Sequence, residues 1–218
     1  PDDSDDRIAD ELARTVAAAH RSALPVEADA WIDALERYIG QNDEAFGEFP
    51  DLFPPEQATH LIAESRQAFA RLLPLLRRRG EKLLVRRGHG DLHLGNLVLL
   101  DGQVCPFDCI EFSDDLRWID VASELAFTYM DLLDHRRPDL AAWLLDAWLH
   151  ESGDFSAVPV LRFYSVYKAL VRAKVAALGG AGSQASGYLA LAESIATPPP
   201  PRLTITFGLS GSGKSTQS

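Results

Sequence analysis

Asp101-Gly102, set between the apolar runs Leu97 to Leu100 and Gln103 to Phe107, leaves this chain the least freedom. Asp-Gly supplies the residues a tight two-residue hairpin turn demands, and apolar strands on both sides pair across it. The hairpin constrains its neighbours as well. Whatever precedes the first strand and follows the second must lie at one end. Asn96 precedes and Asp108 follows, so an amide and a carboxylate are returned to the same place.

The loop entering the hairpin is Gly88-His89-Gly90-Asp91-Leu92-His93-Leu94-Gly95-Asn96. Asp91 stands two positions after His89, five before Asn96 and seventeen before Asp108. Phosphoryl transfer from ATP needs such a set. One carboxylate accepts the proton of the attacking hydroxyl, while an amide oxygen and a second carboxylate hold magnesium on the phosphates. A spacing of five suits a short loop that points both side chains into one cleft. Only oxygen ligands are present, which suits magnesium. A hydrogen-bonded turn is the plainer alternative, because Asp and Asn build turns readily. The return of Asp108 after the hairpin favours the metal site. Cys105 and Cys109 are the only cysteines, too few for a zinc site or a disulfide framework.

Hydrophobic residues make up 46% and charged residues 24% of the 218 positions, the balance of a soluble globular protein with a core. The net charge of -11 argues against a broad nucleic-acid footprint. Arg77-Arg78-Arg79 and Arg86-Arg87 read as helix-end and loop charges. No apolar run approaches the roughly 20 residues of a membrane span. The acidic opening, Pro1 to Asp6, is unlike a signal peptide. The expected setting is cytoplasmic, with neither nucleic acid nor membrane as partner.

Apolar periodicity predicts helices over Arg7 to His20, Asp29 to Gly40 and Glu56 to Arg79, the last kinked or divided at Pro74. Phe46 to Pro55 reads as a loop and Leu83 to Val85 as a short strand leading into the motif. Helical periodicity resumes at Ile119 and continues through Asp139 to Glu151, Val160 to Leu178 and Gln184 to Ala196. Composition then changes. Pro198 to Pro201 is a stiff spacer, and Leu203 to Phe207 is a strand candidate. Gly208-Leu209-Ser210-Gly211-Ser212-Gly213-Lys214-Ser215-Thr216 then fits the phosphate-binding loop pattern G-x-x-x-x-G-K-[ST]. In such a loop the backbone around Gly208, Gly211 and Gly213 cradles phosphates. Lys214 reaches the terminal phosphates, Ser215 binds magnesium, and Thr216 belongs to the same nucleotide site. The motif needs a following helix, so the chain is expected to hold only the start of that domain.

The Gly88 to Asn96 loop, Pro106-Phe107-Asp108-Cys109-Ile110-Glu111-Phe112 and Arg117-Trp118-Ile119-Asp120-Val121-Ala122 together resemble the aminoglycoside phosphotransferase and choline kinase family, which has a protein-kinase-like fold. The resemblance implies Asp91 as general base, Asn96 and Asp108 as magnesium ligands, and His89 and Asp120 as braces of the loop. His93 reads as packing, with contact to substrate or to the loop backbone as the alternative. Glu111 either supports the metal or caps the next segment. Glu111, Asp114 and Asp115 form an acidic wall that would favour a cationic acceptor.

The expected fold is mainly α with a small β-hairpin. Residues 1–197 form the helical C-terminal lobe of a kinase-like fold whose N-terminal lobe is missing. Residues 198–218 form a Pro-rich linker and the first strand and P-loop of a truncated α/β domain. The arrangement is similar to bacterial bifunctional proteins that join a phosphotransferase-like domain to a P-loop ATPase. The implied activity is ATP- and Mg2+-dependent transfer of a γ-phosphate to a hydroxyl of a small molecule, with the fragment alone inactive. Two other readings are open: a catalytically silent ligand-binding or regulatory module, and a protein whose principal activity lies in the P-loop domain.

Overall fold

The computed structural model describes residues 3–198. The phosphate-loop motif, with Gly208, Gly211, Gly213, Lys214, Ser215 and Thr216, lies outside the described residues. Three long helices open the chain: α1 (Asp3–Ser22), α2 (Ala28–Glu48) and α3 (Pro55–Glu81). Leu12, Ala13, Val16 and Ala17 form the buried face of α1.

The second helix runs eight residues past the expected end at Gly40. A Cβ at Gly40 would meet nothing, so that glycine marks no close approach. Ile39, Asn42 and Phe46 continue the buried stripe beyond it. The expected loop therefore shrinks to residues 49–54. The third helix is continuous through Pro74. Phe69 and Leu76 are seated in the core on either side of the proline, and this packing holds the segment helical despite one missing hydrogen bond.

Strand β1 (Val85–Arg87) leads into the Gly88 to Asn96 loop, and β2 (Leu97–Leu100) and β3 (Gln103–Pro106) form the hairpin. Leu97 faces Pro106 and Leu100 faces Gln103. Asp101 and Gly102 turn with φ of 51° and 79°, the pair of left-handed residues such a turn requires. A four-residue helix, α4 (Asp114–Arg117), precedes β4 (Trp118–Asp120). This last strand replaces the expected helix start at Ile119. It pairs antiparallel with β1, Val85 opposite Asp120 and Arg87 opposite Trp118. The side chain of Asp120 accepts from the backbone N–H of Ala122 and so caps α5 (Val121–Asp134).

Helix α5 is the axis of the molecule, buried without interruption from Val121 to Thr128. Helices α6 (Pro138–Ser152), α7 (Val158–Leu178) and α8 (Gly182–Ala196) complete the fold. One apolar cluster joins Val16, Trp31 and Leu76 to Leu125, Trp148 and Tyr164. A second joins Phe46, Phe53 and Ile62 to Met130, Leu170 and Leu189. Among the described residues no helix is long and apolar enough to cross a membrane.

Arg79 is not a helix-end surface charge. It is fully buried, and all five of its N–H groups have acceptors. Nε and Nη2 donate to the two carboxylate oxygens of Asp120, each at 2.7 Å. Nη2 and Nη1 donate to Asp154 at 2.7 and 3.0 Å, and Nη1 also to Ser156 at 2.7 Å. The Tyr164 hydroxyl donates to Asp120 at 3.0 Å. One ion cluster thus fastens the end of α3 to the start of α5 and to the segment before α7.

Candidate active site

Two glycines let the loop enter close to α5. A Cβ on Gly88 would lie 2.5 Å from the carboxylate of Glu124. Gly90 has φ +89°, and a Cβ there would meet the carbonyl of Leu116 at 2.9 Å. The entry is pinned by exchange with Arg117: Gly88 N–H donates to its carbonyl and its Nε donates to the Gly88 carbonyl, both at 2.8 Å.

Helix α5 then holds the loop at three points. Glu124 Oε1 accepts from the backbone N–H groups of His89 and Gly90. Thr128 Oγ1 donates to the Leu92 carbonyl at 2.6 Å. Asp131 Oδ2 accepts from Leu94 N–H at 2.8 Å. The spacing of four and then three puts all three side chains on one face of the helix.

Glu124 is itself held from behind. His20 lies 3.0 Å from Glu124 Oε2, and Trp148 Nε1 donates to His20 Nδ1 at 3.3 Å. Indole nitrogen can only donate. Nδ1 therefore accepts, and His20 carries its proton on Nε2, toward Glu124. Burial works to raise the Glu124 pKa, but the hydrogen bonds from His20 and the Gly90 N–H prevail and lower it. A group with a depressed folded pKa stabilises the fold above its unfolded value, here about 4.5, and loses that contribution as pH falls through the folded value. In Glu124→Gln an amide NH2 must face a donor at one end or the other. The variant should lose about 1–3 kcal/mol at neutral pH. The deficit against wild type should shrink below pH 4.5. Urea unfolding at two pH values checks both statements.

Asp91 is half-buried at the crest of the loop. Burial raises its pKa; the hydrogen bond and charge of His93 and the charges of Lys168 and Arg172 outweigh this and lower it. The carboxylate is therefore ionised at neutral pH. Asn96 is buried and spends both amide hydrogens on Asp91, donating to its carbonyl at 2.9 Å and its carboxylate at 3.2 Å. Among the described residues nothing donates to Asn96 Oδ1. His89 bridges the two halves of the motif: Nδ1 accepts from Asp91 N–H at 3.3 Å, and Nε2 donates to the Phe107 carbonyl at 2.8 Å.

The segment after the hairpin is stitched onto the loop on both sides of Asp108. Phe107 N–H donates to the Asn96 carbonyl at 3.0 Å, and Ile110 N–H to the His89 carbonyl at 3.1 Å. Asp108 has φ 58°, a left-handed backbone that costs a non-glycine residue energy and concentrates at functional sites. Its exposed carboxylate has no hydrogen-bond or ion-pair partner among the described residues. Asp91, Asp108 and Glu111 share the wall of one cleft of about 500 Å3; Asn96, expected to point into the same cleft, is buried and is not among its lining residues. Glu111 makes no capping bond: the helix beginning at Asp114 has Ser113 at its N-cap, without a side-chain cap. His93 packs edge-on against Phe127, its Nδ1 accepts from the loop backbone at Gly95 N–H, and its Nε2 stands 3.5 Å from the Asp91 carboxylate. The Asp120 side chain makes no hydrogen bond to the described residues of the loop; its partners are Arg79, Tyr164 and Ala122.

Residues 1–164 match the model of the phosphotransferase enzyme family. The chain belongs to this family. Its relatives include uncharacterized proteins of Mycobacterium bovis and Mycobacterium tuberculosis. These are 36% identical over 135 residues, covering 59% of this chain and 27% of theirs. The chain thus spans about a quarter of the length of the curated relatives it matches. The loop-holding residues Glu124, Thr128 and Asp131, with His20 behind them, have no counterpart among the residues singled out from the sequence. For the three on α5 the available signal was a row of polar residues at helical spacing, Glu124, Thr128 and Asp131, in a mostly apolar helix; His20 on α1 gave none.

Proposed function

We propose that the whole protein is an ATP- and Mg2+-dependent phosphotransferase that moves the γ-phosphoryl group of ATP to a hydroxyl of a small molecule. The observation that carries this reading is the arrangement around Asp108. An unpartnered carboxylate on left-handed backbone is stitched beside Asn96 and shares a cleft with an ionised Asp91. In this reading Asp91 accepts the proton of the attacking hydroxyl, and His89 and Glu124 fix the loop that presents it. Asn96 Oδ1 and the Asp108 carboxylate are the metal-holding oxygens, and an all-oxygen donor set fits magnesium. Bound magnesium would neutralise charge on the phosphate oxygens. Residues 198–218 are the linker and first element of a P-loop domain, with Lys214 and Ser215 as its phosphate and metal groups; the sequence motif supports this.

Asp108→Ala in the full-length protein should weaken magnesium-nucleotide binding at this site by at least about tenfold, a loss expected for one charged ligand. Titration of a magnesium-ATP analogue in a Lys214→Ala background reads this site without the second. Unchanged affinity would remove Asp108 from the metal site.

A further inference from the structure

The cleft that contains Asp91 has an aromatic side. Trp31 and Tyr38 from α2, Trp118 from β4, Phe127 from α5 and Tyr167 from α7 line it. Lys168 is the one basic residue on that lining among the described residues. It is 6% exposed. Its Nζ lies 4.6 Å from the centre of the Phe127 ring and 5.8 Å from that of Tyr167. It makes no hydrogen bond or ion pair with any described residue, although an ammonium carries three donors.

Nearby carboxylates do not fill that role. Glu124 is occupied by His20 and by the His89 and Gly90 N–H groups. Asp91 is engaged by Asn96 and faces His93. An ammonium on a buried stem without a protein partner is partly desolvated and costly to keep; Nζ is not among the fully enclosed polar atoms of the described residues, so it is open to the cleft. Burial lowers the Lys168 pKa to about 8 while Glu124 and Asp91 pull the other way, so the protein alone under-compensates this charge. An anion entering the cleft would complete it.

We propose that Lys168 is the anion-binding group of the acceptor site, and that the acceptor carries a carboxylate or phosphate close to the hydroxyl presented to Asp91. This rests on the phosphotransferase reading of the cleft and names its substrate class. Lys168 shares the lining with Asp91, the group that would face the acceptor hydroxyl, and its charge acts on the Asp91 carboxylate. The acidic wall expected to select a cation is weaker than its sequence implies. Glu111 and Asp115 are exposed at the cleft, where water screens them. Asp114 is outside the lining and pairs with Arg87 at 3.2 Å. A cationic acceptor would set a second positive charge beside Lys168 in a partly desolvated pocket.

The test uses the full-length protein with magnesium and a non-hydrolysable ATP analogue. Gluconate and glucose 6-phosphate are titrated calorimetrically against glucose and glucosamine. The anionic probes should bind at least about tenfold more tightly than the other two. Lys168→Met should abolish that preference, Lys168→Arg should retain part of it, and neither should change affinity for the nucleotide analogue. Lys168→Met should also unfold at or above the wild-type temperature, because it removes an uncompensated buried charge. Several results would overturn the proposal: anions binding no better than neutral probes or not at all, glucosamine preferred, a nucleotide defect in Lys168→Met, or a lowered unfolding temperature marking a structural counter-ion. Failure of the parent reading looks different. Lys168-dependent anion binding without ADP formation from ATP would leave the anion site standing and remove the phosphotransferase activity.

Discussion

Asp91→Asn in the full-length protein is expected to lower acceptor-dependent turnover by roughly 10²–10⁴-fold, the usual contribution of a positioned base. Affinity for magnesium-ATP should change little. The substitution keeps the shape of the side chain and an oxygen that can accept from Asn96 Nδ2, now 3.2 Å from the carboxylate. It leaves intact the backbone contacts of His89, Leu92 and Leu94 to α5. What it removes is a group that can take a proton. Steady-state kinetics alongside a direct nucleotide titration separates the two quantities. Small and equal effects from Asp91→Asn and Asp108→Ala would instead point to a ligand-binding module without catalysis.

The largest stability effect belongs to a residue outside the cleft. Arg79→Ala should destabilise the fold by about 3–5 kcal/mol, the range for removing one partner of a buried ion pair. Asp120 is completely buried. It would lose its two 2.7 Å charge-assisted bonds and keep only the Tyr164 hydroxyl and the Ala122 N–H. Asp154 and Ser156 would lose their shared donor as well. Since Asp120 caps α5, and α5 carries Glu124, Thr128 and Asp131, the loss should extend to the loop that presents Asp91. Urea denaturation measures the first effect, and hydrogen exchange at the backbone N–H groups of residues 89–94 the second. A loss under about 1 kcal/mol would mean that the cluster is looser than its geometry implies.

What the sequence made legible was local. The Asp101-Gly102 turn, the loop from Gly88 to Asn96 and the long amphipathic helices are set by residues close together in the chain. Each was readable from turn chemistry or periodicity. The boundaries that slipped were decided by packing. Gly40 and Pro74 lie inside helices because buried neighbours on both sides continue the helical face. Trp118 to Asp120 became a strand because Arg86 and Arg87 pair with it from more than thirty positions away.

The site divides in the same way. Asp91, Asn96 and Asp108, the proposed base and metal ligands, are named from spacing, and a hairpin joins the last two. Glu124, His20 and Trp148 are not, because His20 and Glu124 meet across 104 positions and His20 and Trp148 across 128. Arg79 looked like one of three surface arginines; its burial depends on Asp120 and Asp154, distant in the chain. Lys168 is one of four basic residues in α7, with Arg162, Arg172 and Lys174. Sequence alone does not say whether such a lysine reaches outward to solvent or into a cleft.

The central claim is that chemistry occurs at Asp91 and not at the phosphate loop around Lys214. The most direct test is acceptor-dependent ADP formation by the full-length protein in three forms: Lys214→Ala, Asp91→Asn and the double variant. The account predicts that Lys214→Ala retains this turnover while Asp91→Asn and the double variant lose it. Turnover that survives Asp91→Asn and disappears with Lys214→Ala would contradict it.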